Sequence, residues 1–220
     1  MDIPESYYFP PVSSANPDGI LASGGDLSPG RLIYAYRSGI FPMFENNDPI
    51  LWWSPDPRFV LYPNRLHVSD SMQQLFRKGL FRYRFNTRFR EVITHCSRVK
   101  RKEQGSTWIT DEMIEAYCQL NEMGKAFSAE AWQDGKLVGG CYGVWLGEVF
   151  FGESMFSLMP NASKFAFIQL LKQEGRLLKL VDCQMETAHL KSLGAGFISR
   201  DDFIEMLNVH ALSEPLIAFK

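Results

Sequence analysis

Three polar residues stand where apolar ones are expected. Glu153, in the run Phe150-Phe151-Gly152-Glu153-Ser154, ends an apolar segment in which a carboxylate is out of place. Asp182 and Gln184 are two apart in residues 177–184, which read as a strand, so both side chains should project from one side while Cys183 points away. A carboxylate beside an amide can form a hydrogen-bonded relay, the acid orienting and polarising the amide carbonyl. Each has a plainer alternative. Glu153 could be a turn carboxylate at a helix entrance, and Asp182 could pair with a neighbouring strand or loop.

Bringing these three together requires a sheet. Residues 127–133 and 136–144 flank Asp134-Gly135, a two-residue signal for a type I′ hairpin, and Leu146-Gly147 closes a second turn before a strand at 148–152. Asn161 then caps an apolar helix that Gly175 ends, 177–184 forms a further strand, and 200–207 a final helix. Upstream, Ser69 or Asp70 can cap a helix carrying Met72, Leu75 and Phe76 inward, and Thr110 or Asp111 one carrying Met113, Ile114 and Tyr117. The order, an antiparallel meander followed by helix, strand and helix, suggests an α+β domain of acetyltransferase-like order over residues 62–220. Residues 1–61 contain nine prolines, so regular structure there must be short, and a small irregular N-terminal domain is expected. One helix is foreseen in it: Ser28 caps, Pro29 suits the first position, and Gly39 ends it.

Composition narrows the function classes. The 220 residues are 45% hydrophobic and 22% charged, the balance of a globular protein with room for a sizeable core. No basic leader followed by an apolar stretch opens the chain, and no window approaches the roughly 18 apolar residues that span a bilayer, so a cytoplasmic protein without membrane attachment is expected. Cys96, Cys118, Cys141 and Cys183 form no C-x-x-C pair and have no histidine at ligand spacing, which points to reduced thiols and no metal. A net charge of −2 argues against indiscriminate nucleic-acid coating. Yet ten basic residues between Arg77 and Lys102, beginning with Arg77, Lys78, Arg82 and Arg84, face the single acid Glu91 there. Such a field can collect a polyanion, or be an ordinary solvated face. Gly24-Gly25 before a helix could cradle phosphate, but without G-x-x-x-x-G-K-[ST] a tight turn is favoured.

The stretch from Asp18-Gly19-Ile20-Leu21-Ala22-Ser23-Gly24-Gly25-Asp26 through Gly39-Ile40-Phe41-Pro42 to Trp52-Trp53-Ser54-Pro55-Asp56-Pro57-Arg58 resembles the N-terminal signature of the bacterial leucyl/phenylalanyl-tRNA-protein transferases. The resemblance recurs at Thr107-Trp108-Ile109-Thr110, Gly139-Gly140-Cys141-Tyr142-Gly143, Gly152-Glu153-Ser154-Met155-Phe156-Ser157, Asp182-Cys183-Gln184 and His189-Leu190, and so spans nearly the whole chain. It implies a larger domain of acetyltransferase (GNAT-like) fold that uses no acetyl-CoA. It further implies transfer of Leu or Phe, and to a lesser extent Met, from aminoacyl-tRNA to the N-terminal Arg or Lys of acceptor proteins, marking them for degradation. No cofactor is needed, because the aminoacyl ester is already activated. A monomer is expected.

On this reading the nucleophile is an α-amine that is mostly protonated near neutral pH, and Gln184, oriented by Asp182, accepts from it. The resemblance makes Glu153 an active-site acid that helps to hold the aminoacyl group. A dry pocket must receive the side chain; Cys141, Phe150, Phe167 and Leu170 flank the motif residues and are its candidate lining. Trp53 and Trp108 are the candidates to stack on the 3′-terminal adenosine, and Arg77, Lys78, Arg82 and Arg84 to meet acceptor-stem phosphates. Two rivals remain. An acetyl-CoA-dependent N-acetyltransferase would need a Q/R-x-x-G-x-G/A loop, and 157–164 lacks its glycines. A non-catalytic tRNA-binding module would leave Glu153, Asp182 and Gln184 without a shared purpose.

Overall fold

The structure, a computed structural model, describes residues 7–45, 48–99 and 109–211. In the N-terminal region β1 (Ile20–Ser23), β2 (Phe41–Pro42) and β3 (Leu51–Trp53) form a three-stranded antiparallel sheet of order β1-β3-β2. Helix α1 (Pro29–Arg37) starts where proline's fixed φ suits a first helical residue. Ser28 occupies the N-cap position without a side-chain capping bond; its own N–H is taken by Asp26 Oδ1 at 2.8 Å.

The rest is built on a seven-stranded sheet. Its strands are β4 (Arg58–Leu61), β5 (Arg82–Phe85), β6 (Ala126–Gln133), β7 (Lys136–Leu146), β8 (Val149–Ser157), β9 (Leu180–Gln184) and β10 (Gly196–Ile198), in the order β10-β4-β9-β8-β7-β6-β5. Every pairing is antiparallel except β8–β9. The expected hairpin turn is present, with Asp134 and Gly135 both at positive φ, 48° and 76°. Helices α2 (Asp70–Lys78), α3 (Phe89–Ser97), α4 (Asp111–Glu122), α5 (Ala162–Gln173), α6 (Ala188–Ser192) and α7 (Arg200–His210) cover the sheet. Thr110 caps α4 through its hydroxyl, 3.2 Å from the Met113 N–H.

Four differences from the sequence reading stand out, the first three with local causes. Strand β8 runs to Ser157, five residues beyond the expected end, because its glycine and polar residues stay paired with β7. Strand β9 begins at Leu180, since Gly175–Leu177 winds into a 3-10 turn. Asn161 opens α5 through a left-handed backbone (φ 67°), and its side chain makes no capping bond. Strand β4, which falls before residue 62, pairs with β9 and β10 in the larger sheet.

The two faces of the sheet carry two apolar clusters. Cys141, Trp145, Phe150, Val181 and Cys183 face one side with Phe165, Phe167 and Leu170 of α5. Tyr142, Val144 and Phe151 face the other, where Val92, Tyr117, Tyr36, Phe41 and Trp52 belong to a single cluster. The N-terminal region therefore shares the core of the larger sheet rather than having a separate one. Gly139 lets α5 approach closely, because a Cβ there would meet that of Ala162.

Candidate active site

Glu153 is delivered by a β-bulge. Tyr142 pairs with Ser154 and Gly143 with Gly152, so Glu153 is the extra residue of β8. Gly143 is required opposite it, since a Cβ there would collide with the Phe151 carbonyl oxygen. The carboxylate is buried and meets three donors: Oε1 accepts from the Tyr36 hydroxyl and from Gln184 Nε2, each at 2.7 Å, and Oε2 accepts from the Tyr117 hydroxyl at 3.1 Å. The two tyrosine hydroxyls are also within hydrogen-bonding reach of each other, and with one hydrogen apiece they exchange between that contact and Glu153.

A second bulge shapes β9. Phe59 pairs with Gln184 and Val60 with Asp182, leaving Cys183 as the extra residue. Gln184 has φ 61°, in the left-handed region that a non-glycine side chain disfavours. Strict alternation therefore ends at Asp182, and Cys183, which the sequence reading turned away, lines the same cavity as its neighbours. Asp182 is completely buried and paired bidentately with Arg58, Nε to Oδ1 at 2.8 Å and Nη2 to Oδ2 at 2.7 Å. Its Oδ1 also accepts the backbone N–H of Gln184 at 2.9 Å. The acid thus touches the main chain of Gln184, while the Gln184 side chain is held by Glu153.

Strands β8 and β9 pair only from Val149 to Phe151 and from Leu180 to Asp182. Beyond that point lies a cavity of about 340 Å³. Glu153, Asp182 and Gln184 line it, as do Cys141, Phe150 and Phe167 from the apolar side and Met43, Met155, Met185, Thr187, His189 and Leu190 elsewhere. Leu170 does not: three residues along α5 from Phe167, about 4.5 Å further down the axis, it packs into the core. Trp53 is also set back from the lining, its indole N–H bound to the Met43 carbonyl at 2.7 Å, and Met43 takes the place at the wall. Trp52 is the core member of the pair, as extended geometry required. Trp108 lies outside the described residues.

Burial pushes the Glu153 carboxyl up to about 7, helped by the Asp182 charge and opposed by the bonds from Tyr36, Gln184 and Tyr117. Burial, with Glu153 beside them, holds the Tyr36 and Tyr117 hydroxyls well above the usual tyrosine value, so both remain donors. His189 is lowered to about 4 by burial and then by Lys164, which keeps its ring neutral at pH 7. Burial pushes the Cys141 thiol up to about 12, and that of Cys183 also upward. Glu153 and Asp182, the latter paired with Arg58 behind the wall, are thus the acids of a lining that is otherwise uncharged.

The basic residues form a separate surface. Arg77 and Lys78 are exposed at the end of α2, and Arg82 and Arg84 are exposed on β5, the outermost strand. The Arg84 guanidinium lies 4.5 Å over the Trp132 ring. Strand β5 stands three strands from β8, about 14 Å at ~4.8 Å per strand. Among the described residues no metal-ligating cluster occurs and no helix is long and apolar enough to cross a membrane.

Sequence reasoning did not single out Tyr36, Tyr117, Arg58 or Met43 for this site. A signal existed for Arg58, a cation heading the apolar run Arg-Phe-Val-Leu. A phenol on the inward face of α4 was another, because a buried hydroxyl requires a partner.

Fold and cavity together define an α+β protein with a pocket walled on one side by Cys141, Phe150 and Phe167 and bordered on the other by a buried carboxylate network. Similarity to known proteins sharpens that class. Residues 60–208 match the leucyl/phenylalanyl-tRNA protein transferase profile and residues 25–56 the profile of that family's N-terminal domain. The chain is 54% identical over 203 residues to the leucyl/phenylalanyl-tRNA–protein transferase of Flavobacterium johnsoniae, covering 91% of this chain and 95% of that one. It is 55% identical over 202 residues to the enzyme of the same name from Nitrosospira multiformis (90% and 87% covered) and 51% over 208 residues to that from Myxococcus xanthus (94% and 88%). The chain belongs to the leucyl/phenylalanyl-tRNA protein transferase family.

Proposed function

We propose that this chain transfers a leucyl or phenylalanyl group, and less readily a methionyl one, from aminoacyl-tRNA to the N-terminal Arg or Lys of acceptor proteins, marking them for degradation. It acts as a cytoplasmic monomer of GNAT-like fold. One observation carries the assignment: the cavity at the parting of β8 and β9 joins an apolar wall to Glu153, Asp182 and Gln184. The apolar side chain of the donor enters between Cys141, Phe150 and Phe167, where burial alone attracts it. Its ammonium group is received by Glu153, whose ionised form becomes favoured once a positive charge is beside it. The terminal adenosine rests against Met43, which Trp53 backs through its indole N–H, and the acceptor stem runs toward Arg77, Lys78, Arg82 and Arg84.

In the transfer step the acceptor's free amine attacks the ester carbonyl carbon. A C–N bond forms and the bond to the ribose oxygen breaks, the proton lost by the nitrogen passing to that oxygen. Gln184 uses its amide nitrogen on Glu153, so its carbonyl oxygen is the end that accepts from the incoming amine. Asp182 fixes the backbone that aims it. The relay therefore works through the main chain of Gln184 rather than by direct contact of the two side chains.

The acetyl-CoA reading is not favoured. At the start of α5 the Ala162 N–H is bound to the Met159 carbonyl at 3.1 Å and the Ser163 N–H to Ser157 Oγ at 2.9 Å, so amides a pyrophosphate would need are already occupied. The test is incubation with Leu-tRNA or Phe-tRNA and a peptide beginning with Arg, with mass spectrometry for the added residue. Acetyl-CoA goes in a parallel tube. Acetylation without aminoacyl transfer would reverse the assignment.

A further inference from the structure

We propose that Arg58 is a positioning residue for acyl transfer, acting through Asp182 on the backbone of Gln184; this rests on the cavity being the transfer site. The contacts run in single file. Arg58 holds both oxygens of Asp182 at 2.8 and 2.7 Å, Asp182 Oδ1 takes the Gln184 N–H at 2.9 Å, and Gln184 Nε2 reaches Glu153 Oε1 at 2.7 Å. The middle link is the strained one, since Gln184 sits at φ 61°, a conformation that persists only where surrounding contacts impose it. Asp182 can impose it only while its carboxylate is held in place. Arg58 holds it there, as a bidentate partner and a compensating charge, with the two residues 1% and 0% exposed.

Arg58 is itself held by two aromatic rings. Its guanidinium lies 4.7 Å over the Phe41 ring of the N-terminal region and 4.6 Å over the Phe203 ring of α7. A planar guanidinium held over two rings offers Asp182 a bidentate edge, which a lysine ammonium cannot reproduce. Arg58 does not border the cavity, so it touches neither donor nor acceptor. Its influence is geometric, and substrate binding should hardly feel it.

The experiment uses the full chain with Phe-tRNA and an Arg-initiated peptide, following kcat and KM alongside thermal melting. For R58K, kcat should fall about tenfold or more while KM for aminoacyl-tRNA stays within about twofold. The double variant R58K/D182N should be no slower than the slower single, because both cut one chain of contacts. Wild-type kcat in R58K, or losses that multiply, would overturn the inference. Should R58K melt far below wild type, R58M/D182L replaces the ion pair by apolar side chains and should regain the melting temperature. If kcat stays low in that refortified protein the positioning role stands; if it returns to the wild-type value the pair is merely structural. Transfer by wild type is read in the same assay: its absence sinks the function assignment, whereas its presence beside an unimpaired R58K sinks this inference alone.

Discussion

Tyr36 on α1 donates its phenolic hydrogen to Glu153 Oε1 on β8 at 2.7 Å, across 117 positions of sequence. The N-terminal region is therefore part of the cavity's acid network, and deleting one atom there should be felt at the bulge. Tyr36→Phe removes a donor that favours the ionised carboxylate, so Glu153 should move further above about 7. A hydrogen bond to a charged group contributes roughly 1.5–3 kcal/mol, which is about one to two pH units. The acid limb of the kcat/KM profile should shift upward by that amount. A limb that stays at its wild-type position would mean that Glu153 does not govern it.

The raised Glu153 also makes stability depend on pH. In the unfolded chain this carboxyl ionises near its ordinary value of 4.5, in the folded one near 7. An acid raised in this way contributes stability below about 4.5 that is lost as pH climbs through about 7, roughly 3 kcal/mol for a shift of this size. Glu153→Gln cannot titrate. Relative to wild type it should therefore melt progressively higher between pH 5 and pH 8, by several degrees at the upper end. A melting difference that is constant across that range would contradict a buried, raised carboxyl.

Pocket width should set the choice between leucine and phenylalanine. Cys141 is 3% exposed and faces the cavity beside Phe150 and Phe167, with a thiol that burial keeps protonated. Cys141→Met adds about two heavy-atom lengths to the wall and should exclude the aromatic ring before the smaller isobutyl group. Discrimination of one or two methylenes in an apolar pocket is about 1–3 kcal/mol, so the Phe-to-Leu ratio of kcat/KM should drop about tenfold or more. Competition between Leu-tRNA and Phe-tRNA in one reaction measures it directly. An unchanged ratio would place the donor side chain elsewhere.

What the sequence disclosed and what it withheld follow a physical division. Local patterning sufficed for α1, α2, α4, the Asp134-Gly135 hairpin and the three polar residues Glu153, Asp182 and Gln184, because turn glycines, caps and an acid in an apolar run are visible one residue at a time. Strand β5 lay hidden in the basic run, where alternate Arg82 and Arg84 read only as charge. The bulges at Glu153 and Cys183 depend on pairing register, which no single strand specifies, and they decide which side chains meet. Tyr36, Tyr117 and Arg58 reach the site from distant segments, and the need of a buried carboxylate for donors becomes apparent only once its neighbours are known. Leu170 shows the converse: flanking the motif residues suggested a lining residue, yet three positions sufficed to carry it from cavity to core.

The proposed tRNA surface can be tested by salt. Arg77, Lys78, Arg82 and Arg84 are all exposed, on the α2 terminus and the β5 edge, and Arg82 and Arg84 share one side of their strand because Tyr83 lies between them. Each phosphate contact releases condensed counterions, so log affinity should fall with log salt by about 0.9 for every contact to duplex. Replacing all four by alanine should flatten the slope by about 3 to 4 and weaken Leu-tRNA and Phe-tRNA equally, since phosphate contacts do not read the esterified residue. The KM for the acceptor peptide should stay unchanged, as β5 is three strands from β8. Filter binding between 50 and 200 mM salt gives the slope; a quadruple variant with wild-type salt dependence would take these four residues out of the interface.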